Sequence, residues 1–267
     1  MTVKAPHQIR ATIRYVAKGE RAIFYPEERD RSYWPGDDHE VTITDLRSLP
    51  EQPTIDRNGF TVLRHETKVM NFLDPGEVEA LWYPEAIALA RQLNGAAHAI
   101  AFGPVARSDH PDNRQGRLPA FGAHVDYGRR TIEDIARPLL GEQADLWLSK
   151  RVVLMNLWRP ISTVYRTPLA LCDARTVQPD DLYDSEVRGG LDDPGRASLY
   201  GYNISYNPGH RWYYLSRMQP EELFAFKLYD SDPQRPQWTG HTAFNDPETP
   251  ADAPPRQSME IRTISFI

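Results

Sequence analysis

The stretch FGAHVDYG places a histidine and an aspartate, His124 and Asp126, one residue apart among small or apolar neighbours. In a β-strand, side chains alternate between two faces, so both groups would point the same way. An imidazole and a carboxylate on an inward face need a compensating partner, and a metal ion is one such partner. The simpler alternative is a strand-end histidine that hydrogen-bonds to a local aspartate. The triplet alone does not exclude that alternative.

A third metal ligand would have to come from another strand, and the chain offers two histidines for it. His210 lies in NPGHRWYY, and His241 lies in TGHTAFNDP. Two histidines and one carboxylate on one face of an octahedral ion leave three adjacent positions open. That arrangement suits non-haem Fe(II) oxygenases.

The C-terminal stretch RQSMEIRTISFI adds charged and polar side chains that a simple hydrogen bond between His124 and Asp126 would not explain. Arg256, Ser258, Glu260 and Arg262 share strand parity, so they can line one face together. A guanidinium can hold a carboxylate through two parallel hydrogen bonds, and a nearby hydroxyl can contribute another. The order histidine, aspartate, histidine, arginine is therefore more specific than the first triplet alone.

The elements that must position these residues have mostly the pattern of β-strands. From residue 97 onward, turn residues separate most of the candidate strands AHAIAFG, LPAFGAHVDY, RVVLMNLW, ASLYGYNISY, RWYYLS, ELFAFKLY, GHTAF and SMEIRTISFI. This series predicts a sandwich, jelly roll or barrel. The Pro/Gly/Asp-rich segment 178–196 predicts a loop over its mouth.

One helix is predicted in LDPGEVEALWYPEAIALARQLNG, with Asp74 as its cap and Gly95 at its end. Pro84 must kink this helix or split it in two. We therefore expect a mainly β fold with flanking helices. The prediction is a single domain, residues 1–267, in which residues 1–96 flank a core formed by residues 97–267.

Composition excludes several classes of partner. The chain has 267 residues and a formal net charge of −6, with no basic block, so nucleic acid and anionic membranes are not expected partners. It has no apolar run long enough to span a bilayer and no secretory signal pattern. Its single cysteine, Cys172, fits a reducing cytoplasm. Whether two chains form a homodimer is left open.

The sequence resembles the Fe(II)/2-oxoglutarate-dependent dioxygenase superfamily. It is most similar to the hydroxylase/desaturase family of microbial secondary metabolism, which includes the cephalosporin 7-alpha-methoxylation component. The matching stretches begin at residue 58 and include NGFTVL, YPEAIALARQLNGA, HVDYG, MNLWRPI, PLALCDART, YNPGHRWYYLSRMQPEELFAFKLYDSD, HTAFNDP and PRQSMEIRTISF.

The resemblance implies a double-stranded β-helix, or jelly-roll, core with His124 and Asp126 as iron ligands. The order of strands in that superfamily favours His241 over His210 as the third ligand. It also implies Fe(II) and 2-oxoglutarate as cofactors, with Arg256 or Arg262 and Ser258 on the far carboxylate. Dioxygen and a small molecule would be the other reactants, and hydroxylation, desaturation or ring formation the outcome.

Four further side chains are candidates for substrate binding: Arg107, Asn156, Trp158 and His210. Asn156 and Trp158 share parity and could both face the cavity. The alternatives are that Trp158 packs in the core and that His210 is a hydrogen-bonded loop residue.

Two other classes of protein use similar residues. A zinc-dependent hydrolase could use the same histidine and aspartate ligands, but it would not need the arginine on the closing strand. A non-catalytic jelly-roll binding protein would keep the fold without the ligand series.

Overall fold

The computed structural model describes residues 5–25, 28–112, 117–188 and 197–267. Most of its regular structure is β. The described strands are β1 Gln8–Val16, β2 Ile23–Phe24, β3 Gly36–Asp45, β4 Phe60–Arg64, β5 His98–Ser108, β6 His124–Val125, β7 Val152–Pro160, β8 Leu169–Cys172, β9 Leu182–Arg188, β10 Ala197–Ile204, β11 Trp212–Tyr214, β12 Glu222–Asp230, β13 His241–Ala243 and β14 Gln257–Phe266.

Helices are few and short. They are α1 Ile55–Asn58, α2 Pro75–Glu77, a π-helical turn Val78–Trp82, α3 Tyr83–Asn94, α4 Arg129–Leu140 and α5 Ala144–Leu148, together with several 3-10 turns. Among the described residues, no helix combines the length and the apolar character needed to cross a membrane.

The strands form two sheets. A five-stranded antiparallel sheet has the order β4, β12, β7, β14, β5, and a nine-stranded sheet has the order β1, β3, β11, β8, β13, β6, β10, β9, β2. In the five-stranded sheet, β7 is buried along its whole length. Such a strand needs cover on both faces, which explains its nearly continuous apolar sequence VVLMNLWRP. The mainly β fold with flanking helices is therefore confirmed.

One face of the five-stranded sheet packs against the predicted helical segment. Trp82 and Ala86 from that segment lie in one apolar cluster with Met155 of β7. Asp74 caps the first turn by accepting from the backbone N–H groups of Gly76 and Glu77. Pro84 lies in the first turn of α3, directly after the π-helical turn, so the proline divides the segment as expected.

Two expectations about the strands were wrong. In the predicted strand LPAFGAHVDY, only His124–Val125 is β. The cause lies at Gly122, whose φ of 144° is unfavourable for other residues and whose missing side chain makes room for the Trp34 ring. The predicted loop 178–196 contains strand β9, which pairs with β10, while residues 189–196 lie outside the described residues.

Candidate metal and cosubstrate site

Short strands bring the three predicted metal ligands together. His124 lies on β6 and His241 on β13, and the two are directly opposed in the antiparallel pairing. Their ring centroids are 4.2 Å apart. Asp126 follows β6, and its Oδ1 lies 3.5 Å from Nε2 of His124 and 3.8 Å from Nε2 of His241. The three ligand atoms lie within 4.8 Å of one another, close enough to bind one ion.

The opposite ring nitrogens orient both imidazoles. Nδ1 of His124 lies 2.8 Å from the carbonyl oxygen of Gly122, and Nδ1 of His241 lies 3.4 Å from that of Thr239. A carbonyl only accepts, so Nδ1 carries the proton and Nε2, on the side of Asp126, keeps its lone pair. Burial and the neighbouring His124 lower the pKa of His241, which favours the neutral form that binds metals.

Within the described part of the chain, protein donors bind only one oxygen of the Asp126 carboxylate. Its Oδ2 accepts from Nδ2 of Asn156 at 3.2 Å and from Nε and Nη2 of Arg262 at 3.3 and 3.2 Å. Burial alone would raise the pKa of Asp126, but the Arg262 charge holds it well below its usual range. Oδ1 is thereby left to face the two histidines as an ionised oxygen without a protein donor among the described residues.

A second carboxylate fixes Arg262 in turn. Glu260 Oε1 accepts from Nη2 of Arg262 at 2.8 Å and from Nη2 of Arg107 at 3.0 Å. Burial would raise the pKa of Glu260, but these two guanidinium groups lower it overall. Arg262 also donates to the carbonyl oxygen of Gly103 at 2.9 Å. All three nitrogens of the Arg262 guanidinium therefore donate to oxygen atoms of the protein itself.

A cavity beside the three side chains is lined by Arg107, Trp158, Leu169, Ala243 and Arg256, as well as by both histidines. Arg256 is 2% exposed, and its guanidinium lies 5.2 Å from the centroid of the Trp158 ring. Its Nη1 donates to the carbonyl oxygen of Thr167 at 2.6 Å. Among the described residues, neither Nε of Arg256 nor Oγ of Ser258 has a partner, so a guanidinium and a hydroxyl remain available to a carboxylate.

The structure separates His210 from this cluster. Its Nε2 lies 3.1 Å from Oδ2 of Asp181, and its ring stacks on Tyr15 with centroids 5.9 Å apart. The side chain is 1% exposed. Burial is the main cause that lowers the pKa of His210. This environment favours the hydrogen-bonded loop histidine over a group that binds metal or substrate.

Some contacts at the site were not expected from the sequence. Phe226 of β12 lies across from His241, with ring centroids 4.8 Å apart. Asn156, expected to bind substrate, donates to Asp126, and Glu260 also accepts from Arg107 of β5. No local sequence signal identifies these contacts, because each depends on the register between distant strands.

Comparisons with known proteins agree with this geometry. A family model described as "YDMC: Oxidoreductase/YMDC permease-like domain" matches residues 13–266. The Fe(II)/2-oxoglutarate-dependent dioxygenase nvfI of Aspergillus novofumigatus is 29% identical over 234 residues, which cover 85% of this chain and 83% of that protein. The hydroxylase/desaturase efuI of Hormonema carpetanum is 30% identical over 247 residues, again 85% of this chain and 83% of that protein.

A solved structure is also similar. The iron and alpha-ketoglutarate-dependent endoperoxidase NvfI has a TM-score of 0.87 with 26% identity, and the alignment covers 97% of this chain and 98% of that chain. This likeness confirms the predicted jelly-roll core.

The fold and the site define an oxidoreductase. The chain belongs to the family of Fe(II)/2-oxoglutarate-dependent dioxygenases and hydroxylase/desaturases represented by these relatives. The resemblance to this family that the sequence showed is confirmed. Membership in the family favours an oxygenase over a zinc hydrolase or a non-catalytic binding protein.

Proposed function

We propose that this chain oxidises a small-molecule secondary metabolite or its precursor, with Fe(II) and 2-oxoglutarate as cofactors. His124, Asp126 and His241 hold the iron. The observation that carries this assignment is the convergence of three atoms with free lone pairs, namely two Nε2 atoms and Oδ1 of Asp126. Two nitrogens and one oxygen on one side of an ion match the ligand set of non-haem iron oxygenases.

Arg256 and Ser258 bind the far carboxylate of 2-oxoglutarate. Between the two candidate arginines, the hydrogen bonds favour Arg256, because its Nε has no partner among the described residues and it lines the cavity beside both histidines. Arg262 instead donates to Asp126, Glu260 and Gly103. Ser258 lies two residues from Arg256 and carries an unpartnered buried hydroxyl.

Arg262 and Asn156 position the iron ligand Asp126, and Glu260 keeps Arg262 in place. Trp158 and Arg107 form part of the cavity wall. Their task is to hold substrate close to the metal and to exclude water. Bound Fe(II) and 2-oxoglutarate supply the oxidising chemistry with dioxygen.

The names of the relatives bear on the outcome of the reaction. They include hydroxylase/desaturases and an endoperoxidase. Hydroxylation, desaturation and ring formation are therefore all reactions that we consider for this chain. Nucleic acid is not a partner that the charge of −6 favours. A cytoplasmic location, a homodimer and the single-domain organisation stay predictions from the sequence.

Formation of succinate from 2-oxoglutarate tests this proposal. We expect purified protein to form succinate with Fe(II) in air and to form none when Zn(II) replaces iron. His241→Ala should abolish the turnover, while the matched control His210→Ala should retain it. Turnover that survives in His241→Ala, or that is lost equally in both variants, would contradict the proposed ligand set.

A further inference from the structure

A row of side chains extends from the two histidines across the nine-stranded sheet. Leu171 of β8 is opposite His241, and His241 is opposite His124. On the other side of His124, Asn203 of β10 is its direct partner, and Tyr183 of β9 is the partner of Asn203. Directly opposed residues of an antiparallel pair lie on the same face of the sheet, about 5 Å apart. Asn203 therefore lies on the iron-binding face, next to His124.

The Asn203 amide is buried without a partner for its donor. The residue is 1% exposed, and Nδ2 makes no hydrogen bond within the described part of the chain. Buried amide donors are nearly always paired, since leaving one unpaired costs free energy that a bound acceptor recovers. Asn58 shows the usual arrangement, because its buried amide donates to Asp173 at 2.9 Å.

Asn203 and the cosubstrate cavity lie on different sides of His124. The cavity contains Leu169 and Ala243, which lie further along β8 and β13, together with Arg256. Asn203 is instead on β10, which pairs with β6 on the side away from β13. An acceptor for its Nδ2 would therefore come from a molecule other than the 2-oxoglutarate held by Arg256.

We propose that Asn203 binds the substrate by donating from Nδ2 to a carbonyl or hydroxyl oxygen close to the carbon that is oxidised. This inference rests on the function proposed above and adds a substrate class: an oxygen-bearing molecule with an acceptor near its reacting carbon. The half-buried Tyr183 continues the row and offers an aromatic surface to the rest of that molecule. The paired strands β9 and β10 thus each supply a residue for substrate recognition.

The first test separates a binding role from a structural one in the protein without ligand. Asn203→Leu removes an unpartnered donor and keeps a similar volume, so we expect the melting temperature to stay constant or rise. Asn58→Leu is the matched control, and we expect it to lower the melting temperature because Asp173 loses a partner. An equal loss of stability in Asn203→Leu would show that the amide supports the fold and would overturn the proposal.

The second test uses two simple probes of matched shape, cyclohexanone and methylenecyclohexane. Mn(II) replaces Fe(II) in the presence of 2-oxoglutarate, and the paramagnetic relaxation of the probe protons is measured by NMR. A neutral hydrogen bond changes binding by about three- to tenfold, so the ketone should be relaxed about threefold or more strongly than the hydrocarbon. In Asn203→Leu, the two probes should be relaxed equally.

Two results would overturn the inference: equal relaxation of both probes in the unmodified protein, or a ketone preference that persists in Asn203→Leu. The protons of 2-oxoglutarate report separately on the function proposed above. If Mn(II) fails to relax them, the metal and cosubstrate site itself is refuted. If they are relaxed without a ketone preference, only the role of Asn203 is refuted.

Discussion

Two carboxylates of this chain, the half-buried Asp126 and the buried Asp230, both accept from an arginine and a second side chain, but they use their oxygens differently. Asp230 of β12 accepts from Nε and Nη2 of Arg151 at 2.9 and 2.6 Å and from Nζ of Lys227 at 2.8 Å. Its Oδ1 also accepts from the backbone N–H of Asp232 at 3.1 Å. Both of its oxygens are thus used by protein donors. Asp126 has a comparable set of donors on Oδ2, while its Oδ1 faces two imidazole lone pairs.

The difference separates a structural cluster from the proposed metal site. Around Asp230 the charges are satisfied within the protein, as burial requires. Around Asp126 the unused groups point to one region: Oδ1 of Asp126, two Nε2 atoms, and the unpartnered atoms of Arg256 and Ser258 nearby. Buried polar groups without partners are costly, so the unpartnered atoms of Arg256 and Ser258 favour a ligand that completes them.

Replacing each carboxylate by alanine should give the largest and most different effects, on iron binding for Asp126 and on stability for Asp230. Asp126→Ala leaves two of the three proposed metal ligands, so we expect iron binding to be lost in anaerobic calorimetry. Asp230→Ala leaves Lys227, which is fully buried, without its carboxylate, so we expect unfolding to become easier by about 3–5 kcal/mol. Denaturant unfolding measures the second effect. If Asp230→Ala lost iron binding while fully folded, the division into two kinds of cluster would be wrong.

Arg256→Ala should weaken the use of 2-oxoglutarate. Loss of a buried charged partner costs about 2 kcal/mol or more of binding free energy. The 2-oxoglutarate concentration for half-maximal turnover should therefore rise about thirtyfold or more. The control is Arg166→Ala, because the Arg166 guanidinium instead binds Asp109 at 2.8 Å. If Arg262→Ala weakened the use of 2-oxoglutarate more than Arg256→Ala did, and left iron affinity intact, Arg262 rather than Arg256 would bind 2-oxoglutarate.

Arg262→Gln should act on the metal. Groups that orient a metal ligand typically contribute about tenfold to a hundredfold in metal affinity, so we expect iron affinity to fall by that factor. Arg262→Lys keeps the charge but loses the paired donors on Asp126, so it should restore part of the affinity. Iron affinity that is unchanged in both variants would remove Arg262 from the metal site.

The structural cluster should also respond to acid. Burial would raise the pKa of Asp230, but Arg151 and Lys227 lower it below its ordinary value of about 3.9. A group with a lowered pKa contributes stability above its unfolded pKa, and this contribution is lost as the pH falls through the folded value. We therefore expect the stability difference between the unmodified protein and Asp230→Asn to narrow below about pH 4. A difference that stays constant down to pH 2 would contradict the sign of this shift.

Much of the site followed from the sequence because its chemistry is locally encoded. The alternation of His124 and Asp126, and the shared parity of Arg256 to Arg262, are short-range patterns. Of Asn156 and Trp158, which could both have faced the cavity, Trp158 lines it. What the sequence could not supply is the register between strands that lie far apart in the chain. Asn156 therefore binds Asp126, and Asn203 lies beside His124, without any local signal. Likewise, nothing local shows that His210 is enclosed with Tyr15 and Asp181.

Visible absorption under anaerobic conditions tests the iron site most directly. Fe(II) and 2-oxoglutarate added together to the purified protein should give a weak charge-transfer band that neither gives alone. We expect the band in the unmodified protein and in His210→Ala, and no band in Asp126→Ala or His241→Ala. A band that survives in Asp126→Ala, or that never forms in the unmodified protein, would show that His124, Asp126 and His241 do not hold the iron.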